Sequence, residues 1–290
     1  MAKASPVTIV VPVYADWPSL KDCLSSLKAL VDKHHKIMLI NDNGPQANFL
    51  EKKIKTTITE FPNFQYYRNS KNLGFLQTCN RAVQELDKTT NDILLLNSDT
   101  KVTPGFLEEM LGVLYVSDRI GTVSPRSNNA TIATIPLSAA VQKGIDPEKS
   151  YRLFKKMNKR LPRYNEIPTA LGFCMLIRRK VIEEFGLFDK VFGKGYGEEN
   201  DFSMRIKQGG YISALSNRSY VFHQEARSFK MKTKLKLISK NQAIIEQRYP
   251  DYQQAVRDYT QAALIREEGN KLMKILRNPR KFIDRLAKMR

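Results

Sequence analysis

Two kinds of apolar pattern alternate along the first hundred residues. Val7–Val13, Lys36–Ile40 and Asp92–Leu96 are short, nearly unbroken apolar runs rich in β-branched residues, the pattern of strands covered on both faces of a parallel sheet. Between them the spacing turns helical. Asp16-Trp-Pro-Ser opens a helix, with Asp16 or Ser19 as its cap, and Leu20, Leu24, Leu27 and Leu30 share one face. The turn Asn41-Asp42-Asn43-Gly44 leads into a second helix to about residue 59, a strand follows around Phe64–Arg68, and Asn72-Leu-Gly-Phe opens a third helix to about Leu86. Strands separated by helices in this order predict right-handed βαβ units, hence an α/β fold with a mostly parallel sheet flanked by helices.

The second half is less regular. Ile120–Pro125 and Leu171–Ile177 read as strands, Arg179–Phe185 as a helix, and residues 138–165 as a basic stretch without clear period. Gly193-Lys-Gly-Tyr-Gly197 is a loop leading into Glu198-Glu-Asn-Asp201 and a helix over Phe202–Gln208. After strand-like Tyr211–Leu215 and Tyr220–His223 the chain turns helical and basic to its end. The expected organisation is one domain over 1–229 and a basic amphipathic helical extension over 230–290, with apolar positions at Leu235, Ile238 and Ile245 and again at Phe282, Ile283, Leu286 and Met289. Such stripes suit either an anionic membrane surface or packing on the domain.

Charge sharpens this picture. The net charge of +19 is carried by three segments: 149–163 with seven Lys/Arg and no acid, 226–248 with seven against one, and 261–290 with nine against three. A neutral core with a basic periphery implies an anionic partner, such as phospholipid headgroups or a pyrophosphate-linked acceptor, although a solvated surface explains any single run equally well. The three cysteines, Cys23, Cys79 and Cys174, show no pairing or metal spacing, and no stretch reaches the ~20 apolar residues of a membrane span. The expectation is a cytoplasmic protein, peripheral at most on the inner face of the cell membrane.

In open α/β sheets, ligands sit beyond the carboxyl ends of the strands. Asn41–Asp42, Asn72 and Asn97–Asp99 all fall there. The turn after the first strand lacks glycine, which excludes a P-loop or dinucleotide fingerprint, and a divalent cation held by carboxylates is the natural substitute for handling a diphosphate. Asp99 at a buried strand end is the candidate ligand, with a turn or cap role as the plainer reading; Asp42 carries the same two readings. Glu198, Glu199 and Asp201 are three acids in four residues, repelling one another unless a cation or a helix N-terminus compensates. One of them can cap the next helix, and another can serve as general base toward a hydroxyl. His223, one of three histidines, is a further candidate metal ligand.

Seven motifs in order then resemble the family 2 glycosyltransferases, over about Val7 to Phe229: Val-Pro-Val-Tyr at 11–14, Ile-Asn-Asp-Asn at 40–43, Asn-Leu-Gly-Phe at 72–75, Leu-Asn-Ser-Asp at 96–99, Ser-Pro-Arg-Ser-Asn-Asn-Ala-Thr at 124–131, Gly-Tyr-Gly-Glu-Glu-Asn-Asp-Phe at 195–202 and Val-Phe-His at 221–223. The resemblance is to bacterial enzymes extending cell-surface polysaccharides, in the rhamnosyltransferase-like branch. It implies a GT-A fold, an inverting single displacement, and a UDP- or dTDP-sugar donor with a glycan or lipid-linked glycan acceptor. By resemblance Asp42 contacts the donor base, with Pro12, Tyr14, Asn72, Gly74, Asn97 and Ser98 around the nucleotide. Asp99 and His223 hold Mn²⁺ or Mg²⁺, Glu199 is the catalytic base with Glu198 its alternative, and Gly195, Tyr196, Gly197 and Asp201 form the acceptor loop. Two positions depart from the family pattern. The D-x-D reads Asn97-Ser98-Asp99, and the usual Glu-Asp pair reads Glu198-Glu199.

Other classes fit less well. A nucleic-acid binder leaves the acidic cluster and neutral core unexplained. A nucleotidyltransferase needs a Gly- and Arg-rich loop after the first strand, which is missing. An inactive carbohydrate- or nucleotide-sugar-binding member of the same family remains the alternative.

Overall fold

The computed structural model describes residues 5–138, 145–224 and 231–277. Four strands, β1 (Val7–Val13), β2 (Lys36–Asn41), β3 (Phe64–Arg68) and β4 (Asp92–Leu96), form a parallel half-sheet in the order β3-β2-β1-β4. Both faces are covered because successive side chains point to opposite sides. Val7, Ile9, Val11 and Val13 join the apolar cluster that holds Leu20, Leu24 and Leu27 of α1 (Trp17–Leu30) and Leu50 and Ile54 of α2 (Ala47–Ile58). Val10 joins the opposite cluster with Met38, Ile40, Leu95 and, from α3 (Phe75–Arg81), Leu76 and Cys79. This two-sided burial is why these strands are uninterrupted apolar runs. Of the two candidate caps for α1, Asp16 does the capping; its carboxylate accepts the Ser19 N–H.

The other half of the sheet is mixed. β5 (Thr100–Val102) follows β4 directly, α4 (Phe106–Leu114) follows it, and β6 (Ile120–Arg126), β7 (Tyr164–Ile167), β8 (Cys174–Ile177) and β9 (Ile212–His223) complete the sheet. β8 runs antiparallel to β4 and β6, while β9 runs parallel to β6 and antiparallel to β7 and β5. The expected parallel order therefore describes the amino-terminal half of the sheet. The two strand-like runs 211–215 and 220–223 are one twelve-residue strand. Its centre is polar but buried: Asn217 donates to Pro162 O and Asn165 Oδ1 and accepts from Arg126, so hydrogen bonding replaces the apolar signal.

Five more helices complete the described chain: α5 (Pro147–Met157), α6 (Arg179–Phe185), α7 (Glu198–Gln208), α8 (Met231–Arg248) and α9 (Tyr252–Arg277). Beyond residue 230 the chain returns to the domain, where Ile245, Tyr249 and Tyr252 are buried in the same cluster as Phe192 and Phe202. The stripe at Phe282, Ile283, Leu286 and Met289 lies outside the described residues. Among those described, no helix is long and apolar enough to cross a membrane. Cys23, Cys79 and Cys174 are free and buried.

Candidate active site

β1, β2 and β4 end at one edge, where the chain order reverses around β1, and three loops meet there. Tyr14 follows β1 and lies directly against the turn after β2; a Cβ on Gly44 would fall 2.0 Å from the Tyr14 carbonyl oxygen, so only glycine fits. Pro12 sits in β1 opposite Ile40. Asp42 is buried, and both its oxygens are engaged. Oδ1 accepts from Asn69 Nδ2 (2.7 Å) and the Leu73 N–H (2.8 Å), and Oδ2 accepts from Asn72 Nδ2 (3.1 Å) and the Gly74 N–H (2.9 Å). Asp42 thus ties the Asn72–Gly74 loop to the end of β2. That loop in turn touches the glycine-rich loop, because a Cβ on Gly74 would lie 3.1 Å from Lys194 Cα.

After β4, the Asn97 N–H donates to Phe173 O (2.8 Å) and its carbonyl accepts from Thr100 Oγ1 (2.7 Å). These bonds turn Asn97-Ser98-Asp99 across the sheet edge. The antiparallel β5–β9 pairing sets Thr100 opposite His223, which brings His223 Nε2 to 3.6 Å from Asp99 Oδ1. His223 Nδ1 lies 2.7 Å from the Asn129 carbonyl oxygen. A carbonyl only accepts, so Nδ1 carries the proton, and the ring presents Nε2 to Asp99. Asn128 fixes the His223 backbone through both its N–H and its C=O, and Phe173 stacks on the ring with centroids 4.9 Å apart.

A backbone carbonyl accepting from one imidazole nitrogen is the usual outer-shell support of a metal-binding histidine, and here it leaves the other nitrogen turned toward a carboxylate. The pair therefore fits a hard or borderline divalent cation whose remaining ligands are phosphate oxygens and water. Among the described residues, no group of three or more His, Cys, Asp or Glu side chains gathers to hold a metal.

The acidic cluster lies inside the helix, which begins at Glu198 instead of Phe202. Gly197, at φ 101°, is the N-cap, and three acids occupy the first turn, where the helix dipole favours them. The two glutamates diverge. Glu198 is buried against the glycine-rich loop, its Oε1 3.8 Å from where a Cβ on Gly195 would sit, and so lies on the side of the loop that touches Asn72–Gly74. Glu199 is half-buried beside Gly172, its Oε1 3.8 Å from where a Cβ there would sit, and so faces the turn that carries Phe173 to His223. Each has a buried Oε2 without a hydrogen-bond partner. Burial raises both carboxyls above the ordinary carboxylate value, strongly for Glu198, where the Glu199 charge pushes the same way.

Asp201 is structural in its contacts: it accepts from Arg205, Arg248 and the Tyr249 hydroxyl. Gly195 and Tyr196 lie in the loop against α8. Phe173 lies outside every motif, and Asn128 and Asn129 belong to the 124–131 motif without a role that the motif assigns them. Gly172 interrupting the apolar run 171–177 was the available signal for Phe173: only Cys174–Ile177 is strand, and Leu171–Phe173 is the turn before it.

Buried Glu198 makes a stability prediction. A folded carboxyl with a raised pKa contributes fully below its unfolded value and loses that contribution as pH rises through the folded value. Glu198→Gln removes this loss, so its melting temperature should gain on wild type as pH rises above the ordinary glutamate value of 4.5, by ~2–4 °C per kcal/mol released. A melting difference independent of pH above that value would mean the carboxyl titrates as it does in water.

A parallel half-sheet, a mixed half that brings a His to an Asp at the strand edge, and a carboxylate pair at a helix N-terminus make up a GT-A fold. The chain belongs to glycosyl transferase family 2, whose family model matches residues 8–186. Two solved structures place the fold. GalNAc-T7 with UDP, GalNAc and Mn²⁺ is 16% identical with a TM-score of 0.61, over 77% of this chain and 44% of that one. A mannosyltransferase from Pyrobaculum calidifontis in complex with GDP-Man and Mn²⁺ is 13% identical with a TM-score of 0.57, over 92% of this chain and 76% of that one. No curated protein sequence matches the chain.

Proposed function

We propose that this glycosyltransferase is inverting and divalent-metal-dependent, and moves a sugar from a UDP- or dTDP-sugar to a hydroxyl of a glycan or lipid-linked glycan in bacterial surface polysaccharide synthesis. The observation that carries the reading is the pair of carboxylates at the start of α7, each with a buried oxygen lacking a hydrogen-bond partner, together with Asp99 facing His223. The nucleotides and Mn²⁺ named with the two structural neighbours support the donor class and the metal.

In this reading Asp42 shapes the donor pocket by fixing Asn72–Gly74, and Tyr14, Pro12, Asn97 and Ser98 line the nucleotide. Asp99 and His223 hold Mn²⁺ or Mg²⁺, which when bound offsets the charge on the departing diphosphate. Glu199 takes the proton of the acceptor hydroxyl as that oxygen bonds to the anomeric carbon and the bond from that carbon to the diphosphate oxygen breaks on the opposite face. A half-buried base with a raised pKa holds that proton well. Glu198, deeper and on the donor-loop side, is the second candidate. Gly195–Gly197 frame the acceptor. The exposed Lys149, Arg152, Lys155 and Lys156 of α5 support an anionic partner, either an acceptor phosphate or the inner membrane surface.

Calorimetric titration of UDP, dTDP and GDP, with Mn²⁺ and then with EDTA, tests the donor site. Metal-dependent binding of one pyrimidine diphosphate is expected. Binding of none of them by folded protein would remove the transferase reading and leave a carbohydrate-binding protein.

A further inference from the structure

The loop that delivers the two glutamates is bent in a way it cannot support alone. Gly193, Gly195, Tyr196 and Gly197 all have positive φ, at 66°, 133°, 70° and 101°. Tyr196 is the one with a side chain, and it occupies a conformation that non-glycine residues rarely hold without outside support. Turns of this hand direct successive carbonyls inward instead of into a ladder. Three of them, Phe192 O, Gly195 O and Tyr196 O, converge on one atom, Nδ2 of Asn241, at 3.0, 2.9 and 2.8 Å.

Asn241 is buried in α8, 45 residues or more along the chain from these partners. All three partners are acceptors, so the amide must present nitrogen to them, and its two hydrogens serve three oxygens. The loop leads directly into the chemistry, because Gly197 is the N-cap of α7 and Glu198 and Glu199 are the first two residues of that helix. Asn241 thus holds the carbonyls of the turn from which the two glutamates depart. Arg248, two turns further along α8, bonds Asp189 before the loop (2.8 Å) and Asp201 after it (2.7 Å), so the loop is bracketed.

We propose that Asn241 is a positioning residue: from α8 it fixes the Gly193–Gly197 loop, and with it the first turn of α7, in the geometry that transfer requires. The assignment rests on reading Glu199 or Glu198 as the base.

The test compares Asn241→Ala with Ile245→Ala in the full chain. Ile245, one turn along the same helix, is buried in the apolar cluster, and its truncation weakens helix docking while sparing the three loop bonds. Asn241→Ala should lower kcat ~10-fold or more and leave nucleotide Kd within about twofold, since small misplacements of reacting groups cost that much or more. Amide hydrogen exchange at 193–199 should quicken ~10-fold or more in Asn241→Ala and stay within about twofold of wild type in Ile245→Ala. Ile245→Ala should melt earlier yet keep kcat within about twofold while folded. If kcat falls in both variants in step with their melting temperatures, or if loop exchange is unchanged in Asn241→Ala, Asn241 is an ordinary packing residue. Should Asn241→Ala fail to fold, Asn241→Ser keeps one donor near the carbonyls, and the same comparison is made with it. A wild-type protein that transfers no sugar would sink the base assignment alone, because the exchange measurement still decides whether Asn241 holds the loop.

Discussion

Glu199→Gln is expected to bind nucleotide as wild type does and to turn over ~10²–10⁴-fold more slowly. The substitution keeps shape and hydrogen-bonding reach but cannot take a proton from the acceptor hydroxyl. Nucleotide affinity should hold because Glu199 lies beside Gly172, whereas the Asn72–Gly74 loop that Asp42 fixes touches the glycine loop beside Glu198. The pH profile gives a second check. Glu199 must be ionised to act, and burial raises its pKa above the ordinary carboxylate value of 4.5, so kcat/KM should climb with pH through a correspondingly higher value. A large loss in Glu198→Gln with near-normal Glu199→Gln would move the base back by one residue.

Asp99→Ala is expected to remove the Mn²⁺-dependent part of nucleotide binding, a larger effect than the ~10–100-fold that outer-shell changes cost a metal site. The reason is the small number of protein ligands. In the proposed site, with Asn97 in place of a first carboxylate, the cation is held by Asp99 and His223, so losing the charged ligand leaves the neutral one. In EDTA, wild type and variant should bind nucleotide equally weakly. Unchanged affinity of Asp99→Ala in Mn²⁺ would take Asp99 out of the metal shell. The neighbours Asn97 and Thr100 keep the loop's backbone bonds in the variant, so its fold should be retained.

How much of this was legible in the sequence differs by element. β1, β2, β3, β4 and α6 fall within a residue of their predicted spans, because strands buried on both faces and a short helix after a strand leave strong local patterns. The start of α7 was misplaced by four residues: four consecutive polar residues after glycine look like loop, and the N-terminal dipole that favours the acids among them in a first turn leaves no periodic trace. β5 is too short to show a period, and β9 was split because its buried centre is hydrogen-bonded and polar.

The sequence by itself determined that the amino-terminal half is a parallel α/β sheet and that polar residues stand at the ends of its strands, since both follow from which positions are apolar. Motif order then supplied the family. Which polar residues act together was decided by tertiary structure. The antiparallel β5–β9 pairing sets His223 across from Asp99, a single turn at Gly172 puts Phe173 on the His223 ring, and Asn241 reaches the glycine loop from a helix far along the chain. None of these contacts has a local signature, because each joins residues more than 40 positions apart whose encounter depends on how the sheet is ordered. The same holds for the divergence of Glu198 and Glu199: adjacent in sequence and alike in chemistry, they differ only in the direction the first helical turn gives each side chain.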